Sequence, residues 1–376
     1  MSKPLFEIVH QSKKSLARVG RIHTAHGSID TPNFVPVATN ATIKAVESTM
    51  LDALGAQLIF CNTYHLLLHP GPQIVAQAGG LHSFMHRSMP IITDSGGFQV
   101  FSLAYGGVHD ELKSRGQKKN AGSVIKVSEE GVLFRSYRDG QSLLLTPESS
   151  VQAQKMLGAD IIIPLDELPP YHINSDDLKR SLERTHRWEA RSLAEHAKDR
   201  KHQVMFAVVH GGVDPAFRLQ SVRFLAKAGF DGFAIGGSLG KNREEMVTML
   251  TSLMPEVPTD APRHLLGIGD IPSLDACVPL GIDTFDSSHP TRCARHGLLL
   301  SWKGDLKIMQ SCYKDLFRPI DETCTCPTCQ NYTLAYIHHL FKAHEITGLM
   351  LASVHNIHYM MERMRWYRQQ ILEDRL

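Results

Sequence analysis

What this 376-residue chain has least of is net charge: 40 Lys and Arg stand against 38 Asp and Glu, a balance of +2. Such a chain does not advertise nucleic-acid binding through global charge. Residues 287–376 carry 11 basic and 8 acidic side chains, so the small basic excess lies in the C-terminal third. Long apolar runs are also missing. None approaches the roughly 20 residues that span a bilayer, which argues against a membrane protein. The start, MSKPLFEIVHQSKKS, has no apolar core of signal-peptide type, so a cytoplasmic location is expected. No G-x-G-x-x-G follows the first apolar run, which weighs against a dinucleotide-binding open sheet.

The residues present are those of a globular protein, 43% hydrophobic and 21% charged, with room for one large domain and an attachment. Residues 5–37 alternate Phe6, Ile8, Val19, Ile22 and Ile29 with polar residues, as a β-rich lead-in with a turn at His26-Gly27. Eight short apolar runs then recur: 34–38, 57–62, 89–94, 160–166, 204–210, 232–237, 264–269 and 282–286. Most are continuously apolar, as strands buried on both faces must be. Helix punctuation separates them. Thr146-Pro147 opens a helix that Gly158 closes, Asp214-Pro215 opens one that Gly229 stops, and Asn174 starts a third running to about Lys198. Eight βα units predict an α/β fold, a TIM barrel. Residues 100–145 read as an insertion after the third strand, with Gly106-Gly107, the basic tract KSRGQKKN and hairpin-like segments from Val124 to Leu145. The tract reads as a solvated loop.

Seven cysteines are an odd number, and three crowd into six residues. Cys324, Cys326 and Cys329 form C-x-C-x2-C, and His355 completes a closed tetrahedral zinc site with no open position for chemistry. His338, His339, His344 and His358 are rivals for the fourth place. His355 is preferred because it is expected to start the last helix, Val354 to Glu373, which follows another from Thr333 to Ile346. In the last helix Ile357, Met360, Met361, Met364, Tyr367 and Ile371 form an apolar stripe. The zinc is structural, pinning a subdomain at 301–376 onto a catalytic domain at 1–300.

Three strand exits carry aspartates: Asp94 in TDSGGFQ, Asp166 in PLDE and Asp286 in FDSSHP. In a barrel all three face the carboxyl-end pocket, where ligands bind. Gly96-Gly97, Gly211-Gly212 and Gly236-Gly237 let backbone approach a flat ligand. Paired carboxylates suit displacement at an anomeric carbon, one attacking and one moving a proton. A metal-dependent TIM-barrel hydrolase is the chemical alternative, but His23, His26, His65 and His69 lie outside these exits.

TDSGGFQVFS, FDSSHPTRCARHG and C-x-C-x2-C with its late His resemble the queuine tRNA-ribosyltransferases, the tRNA-guanine transglycosylases. The resemblance runs from HTAHGSIDTPNFVPVAT to HNIHYMMERM. It implies a pentosyltransferase that exchanges guanine at the anticodon wobble position for a 7-deazaguanine. Asp286 is then the nucleophile and Asp94 the general acid/base. Phe98 and Leu266 stack on the base. Asp166 meets the pyrimidine edge, with Ser95, Gly96, Gly97, His210, Gly237 and Ser238 completing the pocket. Gly267, Ile268, Gly269, Asp270, Ile271, Pro272 and Ser273 line the RNA. Thr291, Arg292, Cys293, Ala294 and Arg295 select the wobble nucleotide. The resemblance further implies tRNAs with a U-G-U anticodon context and a homodimer.

Four residues depart from that pattern: His210 in place of Gln, Leu168 in place of Cys, Lys241 in place of Glu, and Asp270 in place of Lys. The shorter GGSLGKN loop, lacking the acid, favours queuine over the cationic 7-aminomethyl-7-deazaguanine. A non-catalytic relative that binds tRNA or a partner subunit is the other alternative, though it would be expected to lack one of the two aspartates.

Overall fold

The structure, a computed structural model, describes residues 4–105 and 124–376. Gly106-Gly107 and the tract KSRGQKKN therefore lie outside the described residues. All eight expected runs form parallel strands: Asn33–Pro36, Ile59–Cys61, Ile91–Thr93, Ile161–Ile162, Val204–Val209, Gly232–Ile235, Arg263–Leu265 and Thr284–Ser287. The eighth pairs with the first, Asp286 opposite Val35. A parallel bridge from Val37 to Phe60 brings the first against the second and closes the barrel.

The strands do not alternate polar with apolar because both faces are covered. Successive residues go to different cores. Phe34, Ile91, Met205 and Ala207 face the surrounding helices, while Val35, Ile92, Phe206 and Val208 fill the barrel interior. The antiparallel lead-in sheet (Phe6–Gln11, Arg18–Thr24, Gly27–Thr31) adds Phe6, Ile22 and Ile29 to that interior. Its turn falls at Ala25-His26, so that Gly27, at φ +139°, already begins the next strand.

This sheet is hydrogen-bonded to residues that precede barrel strands. Asp30 N donates to Gln57 Oε1 (3.0 Å) and His26 N to Asp160 Oδ1 (3.2 Å). The amino end of the barrel is thereby plugged, and the opening is left at the carboxyl end.

The helix punctuation works as expected. The Thr146 hydroxyl accepts from Ser149 N, and Gly158 ends that helix at φ +74°. Asp214 and Asn174 cap the helices Pro215–Ala228 and Ser175–Ala197. The insertion after the third strand contains a three-stranded antiparallel sheet, Val124–Val127, Val132–Arg135 and Ser142–Leu145.

The C-terminal helices differ from expectation at their boundary. The first spans Leu334–Lys342, and the second begins at Ile346, well before Val354, and ends at Leu372. The chain turns at His344, whose φ is +58°. Gly348 stays inside the second helix because the first crosses so closely that a Cβ there would stand 3.0 Å from Leu340 Cβ. All six stripe residues, Ile357 to Ile371, are buried against the barrel.

Candidate active site

The three aspartates sit at the carboxyl ends of the third, fourth and eighth strands, but their surroundings differ. Asp286 is 6% exposed. Its Oδ1 accepts from Gly267 N (2.8 Å) and lies 3.1 Å from His264 Nε2. No donor among the described residues holds Oδ2. One oxygen is pinned and the other is not. His264, fully buried in the seventh strand, places its Nδ1 2.8 Å from Thr284 Oγ1. With Thr284 donating to Nδ1, the ring carries its proton on Nε2 and donates it to Asp286. The sequence reading missed His264, because in HLLGIG it reads as the first residue of an apolar run.

Asp94 is held on both oxygens. Thr63 N (2.7 Å) and Gly96 N (3.2 Å) donate to Oδ1, and Asn62 Nδ2 and Gln99 Nε2 (both 2.7 Å) donate to Oδ2. Burial still pushes its carboxyl up to about 6, although these donors pull it down. A carboxyl poised there can give or take a proton near neutrality.

Asp166 and His210 form a pair, with His210 Nε2 2.7 Å from Asp166 Oδ2. Ser95 Oγ donates to Asp166 Oδ1 at 3.3 Å. His210 is 2% exposed and its Nδ1 has no partner among the described residues. That nitrogen lies 2.7 Å from where a Cβ on Gly237 would stand, and Gly237 has φ +75°. Gly97 is equally confined, since its Cβ would meet Asp166 O at 2.9 Å. Phe98 is 50% exposed at the start of its helix, available to a planar ligand. Leu266 is half-buried against the Gly236 turn. Leu168, another departure, packs with Tyr64, Val100 and Trp188.

The expected RNA-lining residues divide. Gly267 is exposed at φ +75°, with Ile268 and Ile271 half-buried and Pro272 exposed. Gly269 is buried against Ser287 and Phe34. Asp270 caps the helix Ile271–Cys277 by accepting from Ser273 N, and it pairs with Arg243 at 3.0 Å. Ser273 is buried, its Oγ accepting from Arg243 Nε. In the helix His289–Arg295, Arg292 is exposed, Cys293 and Arg295 half-buried, and Thr291 and Ala294 buried.

Cys324, Cys326, Cys329 and His355 converge as expected, their ligand atoms within 4.8 Å of one another. His355 Nδ1 lies 3.7, 3.6 and 3.3 Å from the three sulfurs. Tetrahedral zinc with ordinary bond lengths sets a nitrogen about 3.6 Å from each sulfur, so the donor set fits zinc. His355 Nε2 donates to Leu300 O (2.8 Å), leaving Nδ1 bare towards the thiols. His355 is the histidine that meets the three sulfurs, but it lies inside the last helix rather than at its start.

His26, His82 and Asp160 also cluster, at the plugged end, where Asp160 accepts from Ile91 N (2.9 Å) as well. Neither group of possible metal ligands among the described residues is at the open mouth. Among the described residues, no helix is long and apolar enough to cross a membrane.

A sequence model of the queuine tRNA-ribosyltransferase family matches residues 12–376. A protein of that name from Protochlamydia amoebophila is 64% identical over 369 residues, 98% of this chain and 95% of its own. Those of Chlamydia abortus and Chlamydia trachomatis serovar A are 56% and 54% identical over 372 residues, each match covering 99% of both chains.

Proposed function

The chain belongs to the queuine tRNA-ribosyltransferase family, and on that footing we propose that it exchanges guanine at the wobble position of a tRNA anticodon for a 7-deazaguanine. The observation that carries this is the contrast between two mouth carboxylates. Among the described residues Asp286 has donors on one oxygen and none on the other, whereas Asp94 is enclosed by donors and poised near 6.

Asp286 Oδ2 attacks the ribose anomeric carbon. The new C–O bond forms as the C–N bond to guanine breaks, and the electron pair leaves with the base. Asp94 protonates the outgoing base. The incoming base then loses its proton to Asp94, its nitrogen attacks the same carbon, and the Asp286 carboxylate is released. Two inversions give net retention and ping-pong kinetics. The nucleotide must first leave its stack. Phe98 and Leu266 sandwich the base, Asp166 takes its pyrimidine-edge N–H groups, and Ser95, Gly96, Gly97, His210, Gly237 and Ser238 close around it. Gly267–Ser273 and Thr291–Arg295 meet the RNA, which has a U-G-U anticodon context.

Residues 1–300 carry the chemistry. Residues 301–376 fasten it, with one structural zinc held by Cys324, Cys326, Cys329 and His355. The enzyme acts as a cytoplasmic homodimer.

The preferred base is queuine rather than its aminomethyl precursor. Lys241 stands where an acid would meet the small cation. The nearby Glu245 already accepts from Tyr171 Oη (2.9 Å) and Lys241 N (2.7 Å). Competition between the two bases on one tRNA tests this, and a clear preference for the aminomethyl base overturns it. Exchange of labelled guanine into tRNA tests the activity. The parent should exchange and Asp286→Ala should not; exchange by the variant contradicts the assignment.

A further inference from the structure

Arg218, in the first turns of the helix Pro215–Ala228, is 1% exposed and has no carboxylate partner among the described residues. The buried Arg18, by contrast, is paired with Asp283 at 2.6 Å. A lone buried cation is costly and persists only where its donors are satisfied. Four carbonyls satisfy this one. Nε donates to Gly212 O (2.7 Å), Nη1 to Val209 O (2.6 Å) and Gly236 O (2.8 Å), and Nη2 to Ser238 O (2.9 Å). Burial lowers its pKa only to about 9, so the charge stays at neutral pH.

These carbonyls belong to two strand exits, those carrying His210 and Gly237. A peptide's N–H points opposite to its C=O. With Gly236 O and Ser238 O turned down to Arg218, the amides of Gly237 and Leu239 turn the other way. Neither they nor Ser238 N donate to any acceptor among the described residues. A row of unclaimed amides over a buried positive charge suits a ring carbonyl, and suits it better as that oxygen gains negative charge. The fit is close, since a Cβ on Gly211 would stand 2.5 Å from Arg218 N.

We propose that Arg218 is a positioning residue for the base pocket, holding the Gly236–Ser238 backbone so that its amides receive the carbonyl of the departing and incoming base. This rests on the base exchange proposed above. The experiment compares parent, Arg218→Lys and Arg218→Met for exchange of labelled guanine, with KM measured separately for guanine and tRNA and folding followed by circular dichroism. Arg218→Met should raise the guanine KM at least tenfold and lower kcat, leaving the tRNA KM within twofold. Arg218→Lys, which keeps the charge without the fork, should recover part of the loss. A folded Arg218→Met with parental guanine KM and kcat overturns the proposal.

Should both variants fail to fold, the parent decides through inhibition by 6-thioguanine, which keeps the N1–H and replaces the ring carbonyl oxygen with sulfur, a weak acceptor. Inhibition at least tenfold weaker than by guanine supports the proposal, and equal inhibition overturns it. A parent that neither exchanges nor binds guanine overturns the exchange reading itself, and this inference with it.

Discussion

His264 Nε2 lies 3.1 Å from Asp286 Oδ1, and with the Gly267 amide it pins that oxygen of the carboxylate. The ring is itself held by Thr284, its register partner on the eighth strand. Replacing His264 by Leu frees the carboxylate to rotate. A misplacement on the order of 1 Å costs about 100-fold in rate, so kcat for guanine exchange should fall by that order while the tRNA KM holds. His264→Gln, which can still donate to Oδ1, should recover much of it. Steady-state kinetics on the two variants checks this, and an unchanged kcat in His264→Leu contradicts it.

Asp94 must start protonated to release the base, so it should govern the alkaline limb of the pH–rate profile, with an inflection near its value of about 6. Asn62 donates to its ionised form at 2.7 Å and lowers that value. Removing the donor in Asn62→Ala disfavours the carboxylate, so the inflection should move to higher pH, by roughly one unit. A profile that stays put or moves to lower pH counts against Asp94 as the titrating group.

Gly237 has φ +75°, and a Cβ there would stand 2.7 Å from His210 Nδ1. Gly237→Ala should cost about 1–2 kcal/mol of stability through the backbone alone. It should also raise the base KM roughly tenfold as His210 is displaced from Asp166, an effect of about 1.4 kcal/mol. Thermal unfolding and guanine kinetics measured together separate the two.

The three cysteines belong to a cluster with Leu334, Ile337 and Ala294, the last on the helix that follows Asp286. Asn356, next to His355, donates to Pro290 O (3.0 Å) and Leu298 O (2.9 Å). Chelation, or Cys329→Ala, should therefore destabilise the C-terminal helices by several kcal/mol and weaken tRNA binding. Metal analysis should give one zinc per chain in the parent and little in the variant. Full metal content in Cys329→Ala contradicts the ligand set.

The barrel was legible because each strand is buried on both faces, so runs such as VMFAVV stand out against polar, Gly-rich exits. The aspartates were legible because each ends such a run. His264 and Arg218 were not. His264 acts across strands, through a register with Thr284 that no local pattern encodes. Arg218 sits on an amphipathic helix, where an arginine ordinarily faces water. The start of the last helix at Ile346 was not legible, because the tight turn at His344 has no glycine to mark it.

The proposed mechanism turns on a covalent bond between Asp286 and ribose. Enzyme mixed with substrate tRNA and denatured during turnover, then examined by intact-mass and peptide mass spectrometry, tests it most directly. The parent should carry one tRNA per chain on the peptide containing Asp286, and Asp286→Asn should carry none. A turnover-competent parent that forms no adduct, or an adduct mapped to Asp94, contradicts the mechanism.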